Sequence, residues 1–401
     1  MKKFCLFTIV VLTVAQAAAQ EVLDRLDEKL TWSTREDGIR ARLSGTLDLE
    51  FYSFQQPAPG LIDSERNNLF NPRLSLFLDA QLGPTLYFFS QARFDRHFDP
   101  SDEGAQARLD EYALRFTPWS DGRVSLQVGK FATVFGRWVE RHLSWDNPFI
   151  TAPLLYEYVT TAEDFTAAYI PFFGDLRDEK FEYIPVVWGP SYASGVSVAG
   201  RVWHFHYAGE IKNVALSARP ESWDATRLGF DHPTFTGRLG FQPNESWNFG
   251  FSASDGTYFR PEAQGTLPTG RDIDDFHQRT LAQDISYAHG HLQLWAEFHE
   301  VRFELPRLGD ADAFGYFLEA KYKFFPQLFA AVRWNQMFFD DINNGVGGRN
   351  PWAHDISRLE LAVTYRFTEH MHLKLEYYVE DETRAERNPA HDFAAQFTVR
   401  F

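Results

Sequence analysis

Residues 355–401 contain three successive stretches in which apolar and polar side chains alternate. In the first stretch the apolar positions are Leu359, Leu361, Val363, Tyr365 and Phe367. The last stretch has Phe393, Ala395, Phe397, Val399 and Phe401 at its apolar positions, with Asp392, Gln396, Thr398 and Arg400 between them. Neighbouring side chains of a β-strand point to opposite faces, so each stretch predicts a strand with one apolar and one polar face.

The same alternation begins near Ile39 and recurs along the chain. It predicts strands at about 39–53, 72–82, 85–97, 108–117, 123–131, 193–203, 204–213, 233–242, 246–258, 275–288, 291–304, 313–325, 327–338, 355–367, 371–382 and 391–401. These are sixteen strands, five before and eleven after a long interruption at 132–192. A further hairpin hidden within 155–190 would raise the number to eighteen.

The connections between these strands alternate between short and long. Short turns fall at sites such as Gly83-Pro84 and Thr368–His370. Longer polar connections fall at 54–69, 98–107, 132–192, 214–232, 259–274, 305–312, 339–354 and 383–390. Short turns at one end and long loops at the other are typical of a transmembrane β-barrel. With both termini at the short-turn end the strand number must be even, as it is.

The beginning of the chain resembles an export signal. Lys2 and Lys3 precede an apolar run from Phe4 to Val14, and Ala17–Ala19 supply small residues for cleavage. We therefore predict a signal peptide at 1–19, which contains the only cysteine, Cys5. Residues 20–38 form a periplasmic lead-in. Val22, Leu23, Leu26 and Leu30 recur at helical spacing and so predict a short helix, and a disordered tail is the alternative.

An exported chain without a long apolar helix enters a membrane only as a closed barrel, because backbone groups in lipid need partners within the sheet. The predicted fold class is therefore all-β, a transmembrane antiparallel β-barrel over 39–401 with sixteen strands, or eighteen with the extra hairpin, and a long third outer loop. An aromatic content of 16% and a mean hydropathy of −0.36 suit an apolar outer band around a polar lumen. The net charge of −16 argues against nucleic acid as a partner.

Taken together, the signal, the alternating strands, the turn and loop asymmetry and the terminal Phe401 resemble Gram-negative outer-membrane porins. Locally, Gly129-Lys-Phe-Ala-Thr-Val-Phe-Gly136 is similar to the Gly-Lys/Gln-Phe-x-x-Pro-Phe-Gly pattern of porins related to the phosphate-selective type, with Val134 in place of proline. The chain has few lysines after residue 30, which argues against phosphate selectivity, although arginines could substitute.

The resemblance implies a water-filled channel in the bacterial outer membrane for small hydrophilic solutes or ions, narrowed by the loop 132–192. It also implies outer-membrane lipid as a partner, a homotrimer, and no cofactor. Charged rings select the sign of ions in pores. The candidate constriction residues are Lys130, Arg137, Glu140, Arg141, Asp146, Glu163 and Asp164, and the candidate pore-wall residues opposite them are Arg73, Arg93 and Arg115. The alternative is that these charges only solvate an outer loop.

Three histidine pairs share a spacing of two residues: His204 and His206, His289 and His291, and His370 and His372. The alternation predicts that all three pairs face the lumen near the short turns. Separate strands need not bring them within reach of one ion, so we predict no metal site.

Three other functions stay open. A channel selective for anions or sugars is one, because Phe77, Tyr87, Phe89, Trp295 and Phe317 lie on the polar register of their strands. An outer-membrane barrel enzyme, a lipase or protease, is another, although Gly195-Val-Ser-Val-Ala-Gly200 is not a nucleophile elbow. A structural barrel without an open pore would show the same pattern.

Overall fold

A computed structural model describes residues 20–34, 38–96, 100–167, 180–343, 347–383 and 388–401. Sixteen long strands form the main sheet. They are β1 (Ile39–Ser53), β2 (Asn68–Leu82), β3 (Leu86–Asp95), β4 (Gln106–Phe116), β5 (Ser125–Lys130), β6 (Ser194–Val202), β7 (Phe205–Lys212), β8 (Thr234–Phe241), β9 (Trp247–Thr257), β10 (His277–His289), β11 (Leu292–Leu305), β12 (Gly309–Phe325), β13 (Leu328–Phe339), β14 (Ile356–Arg366), β15 (Met371–Glu382) and β16 (Ala390–Arg400).

The sheet is a closed antiparallel barrel. Each strand pairs with the next along the chain, and β16 pairs with β1 from Thr46 opposite Arg400 to Ser53 opposite Phe393. The terminal Phe401 extends this seam, since its amide donates to the Gly45 carbonyl at 3.0 Å. A Cβ at Gly45 would come within 2.6 Å of the Phe401 ring, so the glycine makes room for the last aromatic side chain. The sixteen-strand prediction is confirmed.

The alternation separates a lipid-type surface from a polar lumen. Along β14, Leu359, Leu361 and Val363 are exposed on the outside. Their neighbours Arg358 and Glu360 are fully buried inside the barrel. Buried charged side chains need partners, so the content of the lumen decides how these groups are satisfied.

One predicted loop is in fact a tight hairpin. The sequence predicts a loop over 305–312, but β11 and β12 both extend into this segment. Residues 306–308 alone join the two strands. Arg302 on β11 bonds Asp312 on β12 at 2.6 Å and Asp310 at 3.3 Å, which supports the extension. The turn residues Pro306 and Gly309 interrupt the alternation, so the sequence predicts a longer loop here than the structure contains.

The longest connection, residues 131–193, is the lumen loop. It contains a 3-10 helix (Trp138–Arg141), a one-turn α-helix (Leu154–Glu157) and a small hairpin of Val159–Glu163 with Tyr183–Pro185. This hairpin pairs only with itself, so it is not part of the wall. A hairpin within 155–190 therefore exists, but the eighteen-strand alternative is wrong.

The N-terminal segment lies at the short-turn end. Residues 20–29 are helical, and Thr31–Ser33 pairs with the start of β1, with Thr31 opposite Arg42. The predicted signal peptide, 1–19, lies outside the described residues. Within the described part of the chain, every helix is too short or too polar to cross a bilayer.

Candidate functional site

The lumen loop packs on the inner wall through an apolar core. Leu154, Leu155 and Tyr156 of its α-helix are buried in one cluster with wall residues that include Phe317 and Met337. At Gly315 of β12 an added Cβ would lie 2.6 Å from the Leu155 side chain. The missing side chain therefore lets the helix approach the wall closely. This packing fills the part of the lumen next to the second half of the barrel.

Two fully buried arginines of the wall bind the carbonyl groups of the loop. Arg333 on β13 donates to the Thr151 carbonyl at 3.1 Å and to Glu360 Oε1 at 2.8 Å. Arg358 on β14 donates to the Ala152 carbonyl at 2.5 Å and pairs with Glu157 of the loop at 2.6 Å. Charge-assisted bonds in a dry interior are strong, so these arginines fix the middle of the lumen loop.

Other wall side chains satisfy further backbone groups of the loop. Glu376 on β15 accepts from the Thr151 amide at 3.3 Å. Lys374, also on β15, donates to the Asn147 carbonyl at 2.6 Å. Glu297 on β11 accepts from the Arg137 amide at 2.9 Å. Buried backbone groups need such partners, and here charged wall residues supply them across the lumen.

A cavity of about 150 Å³ remains between the lumen loop and strands β1, β2 and β3. Its wall side carries Thr46, Asp48, Arg73, Ser75 and Arg93. The loop side is uncharged apart from Glu157, with Trp138, His142, Ser144, Asn147 and Tyr192 among its lining residues. The cavity thus lies off-centre in the lumen, and its charged side chains are mainly on the wall.

The wall arginines pair with carboxylates of the wall itself. Arg73 contacts Asp48 at 3.2 Å and Glu50 at 2.5 Å. Arg93 contacts Asp95 at 3.5 Å and Asp110 at 3.4 Å, and Arg108 bonds the same two acids. Three guanidinium groups thus stand among four carboxylates on this side. Arg73 and Arg93 are paired with acids of the wall and not with acids of the lumen loop, contrary to the prediction.

Arg115, the third candidate wall residue, lies apart from these groups. Its Nε donates to Gln127 at 2.9 Å, and its guanidinium lies 5.7 Å from the Tyr87 ring and 5.6 Å from the Phe89 ring. Trp295 lies 4.4 Å under the guanidinium of Arg141, and Phe317 is fully buried. The predicted inward aromatics therefore face the lumen, but they pack against arginines or the loop and form no continuous track.

Of the seven predicted constriction residues, three lie in or beside the first part of the lumen loop. Lys130 continues the outward register of Leu126 and Val128, and its ammonium donates to the Leu109 carbonyl at 3.0 Å. Arg137 and Glu140 pair with each other at 3.2 Å. None of these three lines the cavity beside β1 to β3.

Arg141 and Asp146 follow in the loop. Arg141 bonds Glu319 of β12 at 2.5 Å, on the far side from the cavity. Asp146 is exposed and follows Trp145, whose ring lies 4.0 Å from the guanidinium of Arg400. The loop therefore reaches the wall at two well-separated places.

Glu163 and Asp164 lie at the end of the loop hairpin. Glu163 pairs in register with Tyr183. Asp164 is buried and bonds Arg219 at 3.0 Å and Arg260 at 3.3 Å, which belong to two other outer loops. Burial raises the pKa of Asp164, and the two arginines counteract this rise. The seven residues are thus spread over the end of β5 and the lumen loop and do not form one ring.

The loop histidine His142 is held in a neutral state. Its Nδ1 donates to the Val139 carbonyl at 2.6 Å, and its Nε2 lies 2.5 Å from the Tyr192 hydroxyl. Burial lowers its pKa to about 4. Protonation would remove the acceptor that Nε2 offers to Tyr192.

The histidine pairs do not share one orientation, contrary to the prediction. His206 and His372 point into the barrel, and His372 lies 4.4 Å from the Trp145 ring. His289 continues the outward register of β10, stacked on Tyr287. His291 lies in the following turn near the outward Tyr322, at 6.1 Å. The pairs therefore form no common ring.

The residues that hold the loop were not identified as a group from the sequence. No motif marks Arg333, Glu319 or Glu297, and Arg358, Glu360, Lys374 and Glu376 are only polar positions of alternating strands. Alternation places all of them inside. Their loop partners are more than 150 residues away along the chain, and no local pattern encodes such pairing.

No protein-family model matches this sequence, and no curated protein sequence is detectably similar to it. The fold, however, matches solved structures. A loop L8 deletion mutant of OmpT, an outer membrane protein of Vibrio cholerae, aligns with a TM-score of 0.57 at 13% identity, covering 91% of this chain and 100% of that one.

Two porins align equally well. OmpF of Salmonella typhi, in complex with Daunomycin, gives a TM-score of 0.56 at 12% identity and covers 92% of this chain and 100% of its own. An anion-selective porin from Comamonas acidovorans gives 0.56 at 10% identity, covering 90% and 100%. Identities this low establish architecture and not a shared substrate. The chain therefore has the fold of bacterial outer-membrane porins.

Proposed function

We propose that this barrel is a channel of the bacterial outer membrane, through which small hydrophilic solutes and ions diffuse past the folded lumen loop. The observation that carries the proposal is the cavity of about 150 Å³ between the loop and strands β1 to β3, which charged wall residues such as Arg73 and Arg93 line. The loop occupies the other side of the lumen, so it narrows the route. The outward apolar side chains are the contact surface for outer-membrane lipid.

Ion preference in this proposal comes from the wall and not from the loop. Arg73, Arg93 and Arg108 stand among four carboxylates of the wall beside the cavity, so this wall cluster has one more acid than arginines. We expect a weak preference for cations. In reversal-potential measurements, Asp48→Asn should reduce this preference more than Glu163→Gln, because Asp48 lines the cavity. A larger effect of Glu163→Gln would show that the acids of the loop, and not those of the wall, determine the ion selectivity.

A sugar-selective channel is the second candidate. It is favoured by the rings of Trp138, Tyr156, Trp188, Tyr192 and Tyr378, which line the same cavity. Aromatic faces pack on the apolar faces of sugars, and aromatic side chains carry much of the contact energy in binding sites. A neutral disaccharide that blocks ion current at millimolar concentration would support this candidate over unselective diffusion.

The deciding experiment is reconstitution of the purified protein in planar bilayers. Stepwise conductance supports the channel. Silent bilayers combined with hydrolysis of phospholipid or peptide by the same preparation would support the enzyme alternative, and silent bilayers without hydrolysis a structural barrel. Chemical cross-linking in detergent tests the trimer that the porin resemblance implies.

A further inference from the structure

The N-terminal helix presents one polar face to the short-turn end of the barrel. Gln20, Asp24 and Asp27 are spaced i, i+4 and i+7, so they share a helix face. Gln20 donates to Glu369 at 3.0 Å, Asp24 contacts His370 at 2.8 Å, and Asp27 pairs with Arg42 at 2.8 Å. Glu369 and His370 belong to the turn between β14 and β15.

The hydrogen bonds of His370 determine which ring nitrogen is free. Its Nδ1 lies 3.0 Å from the carbonyl oxygen of Arg400, which can only accept, so Nδ1 carries a proton. In the neutral ring Nε2 then carries a lone pair and no proton, and it lies 2.8 Å from an oxygen of the Asp24 carboxylate. Two lone pairs at this distance repel each other unless a proton lies between them or both atoms bind one metal ion beside them.

A third ligand atom is nearby. The available atoms of Asp24, Glu369 and His370 all lie within 4.8 Å of one another. We propose that these three residues bind a divalent transition-metal ion of the zinc type, and that the ion fastens the N-terminal helix to the rim of the barrel. One imidazole and two carboxylates suit Zn²⁺, which takes three protein ligands and a water in open sites.

The surroundings of the three ligands support a metal of this class. A bond from Nδ1–H to a backbone carbonyl is the usual orientation of a metal-bound histidine. Gln20 holds Glu369 in place from the same helix face. Mg²⁺ and Ca²⁺ prefer oxygen ligands alone, so an imidazole nitrogen disfavours them.

Titration calorimetry of Zn²⁺ into the full, untagged chain in detergent tests the site. We expect one site that Mg²⁺ does not compete for, with His370→Gln abolishing binding and Asp24→Asn weakening it by about tenfold or more. Asp24 lies outside the wall, so its substitution leaves the barrel folded even where His370→Gln does not fold. Asp272→Asn is the matched control, because it alters the other three-residue cluster, His232, Asp272 and Asp274.

Trypsin provides the structural readout at Arg25 and Lys29 of the helix. At a Zn²⁺ concentration about ten times the dissociation constant, cleavage of the wild type should slow by about tenfold. Cleavage of the Asp24→Asn variant should not change. Equal zinc affinity in the wild type and Asp24→Asn, loss of binding in Asp272→Asn, or unaltered cleavage with zinc bound would each overturn the proposal.

Discussion

Arg333 joins the inner wall of the barrel to the lumen loop. It is fully buried, and its guanidinium carbon lies 4.2 Å from the centre of the Phe149 ring. Its guanidinium group also bonds Glu360 and carbonyl groups of the loop. Replacing it with methionine keeps much of the volume but leaves Glu360 with one arginine fewer. Breaking a buried ion pair costs about 3–5 kcal/mol. Urea unfolding followed by tryptophan fluorescence should show a destabilisation of this size.

Arg302 provides the matched control. It also bonds two acids, Asp310 and Asp312, but on the exposed hairpin above the membrane band. Exposed ion pairs contribute about 1 kcal/mol or less, so Arg302→Met should leave the unfolding midpoint nearly unchanged. Equal losses in the two variants would contradict the anchoring role of Arg333.

His142 makes the packing of the loop depend on pH. Its folded-state pKa of about 4 lies below the ordinary value of 6.5, because burial disfavours the charged ring and Arg93 adds to the effect. Between these two values the unfolded loop binds a proton that the folded loop does not. Stability is therefore complete above the ordinary pKa and falls as the pH decreases toward 4.

His142→Gln separates this effect from other titrations. Glutamine keeps an N–H for the Val139 carbonyl but does not titrate. Between pH 7 and pH 5, the urea midpoint of the wild type should fall more than that of the variant. Parallel pH profiles would exclude His142 as the group responsible.

At the level of elements, Asp164 joins the lumen loop to two neighbouring outer loops. Its carboxylate bonds Arg219 of the 213–233 connection and Arg260 of the 258–276 connection. Asp164→Asn leaves Arg219 buried without its acid, a change that costs about 3–5 kcal/mol locally. Hydrogen exchange should become at least about tenfold faster in residues 213–233, while strands β10 to β14 keep their protection.

Glu221→Gln tests the specificity of that effect. Glu221 contacts the same Arg260, at 3.8 Å, but from an exposed position. Its loss should therefore leave the exchange rates within error of the wild type. If both variants loosen the 213–233 connection equally, general loop charge and not the Asp164 bridge is responsible.

The strands and the loops differ in how far the sequence predicts them. Alternation predicts all sixteen strands, because the polarity of adjacent residues is enough to show which side chains face the lumen and which face outward. Leu359, Glu360 and Leu361 are an example. Alternation failed at 305–312, where Pro306 and Gly309 mask the extension of two strands. The lumen loop has no such period. Its location inside the barrel depends on contacts such as Arg333 with Thr151, which no local pattern contains.

For the same reason the candidate site was predicted only in part. Wall residues Arg73 and Arg93 follow from alternation, and both line the cavity. The direction of each loop charge depends on the folded path of the loop, so the sequence predicts Arg141 and Asp164 in the constriction although they bond distant partners. Charge in a loop is visible in a sequence, but its direction is not.

In the whole molecule, the loop packs against one side of the lumen and leaves a cavity of about 150 Å³ beside the other side. Two threonines on the inner wall test this asymmetry. Thr46 of β1 lines the cavity, whereas Thr280 of β10 is fully buried on the opposite wall. The sequence has one cysteine, Cys5, within the predicted signal peptide, so Thr46→Cys and Thr280→Cys each introduce a single thiol if that segment is removed.

A charged thiol reagent added to open channels should reduce the conductance of Thr46→Cys within the recording. The current through Thr280→Cys should not change, because solutes do not reach a fully buried side chain. Mass spectrometry of the treated proteins measures the modification directly. If Thr280→Cys reacts as fast as Thr46→Cys, the loop does not cover that wall in the open channel, and the passage runs through the centre of the barrel instead of beside β1 to β3.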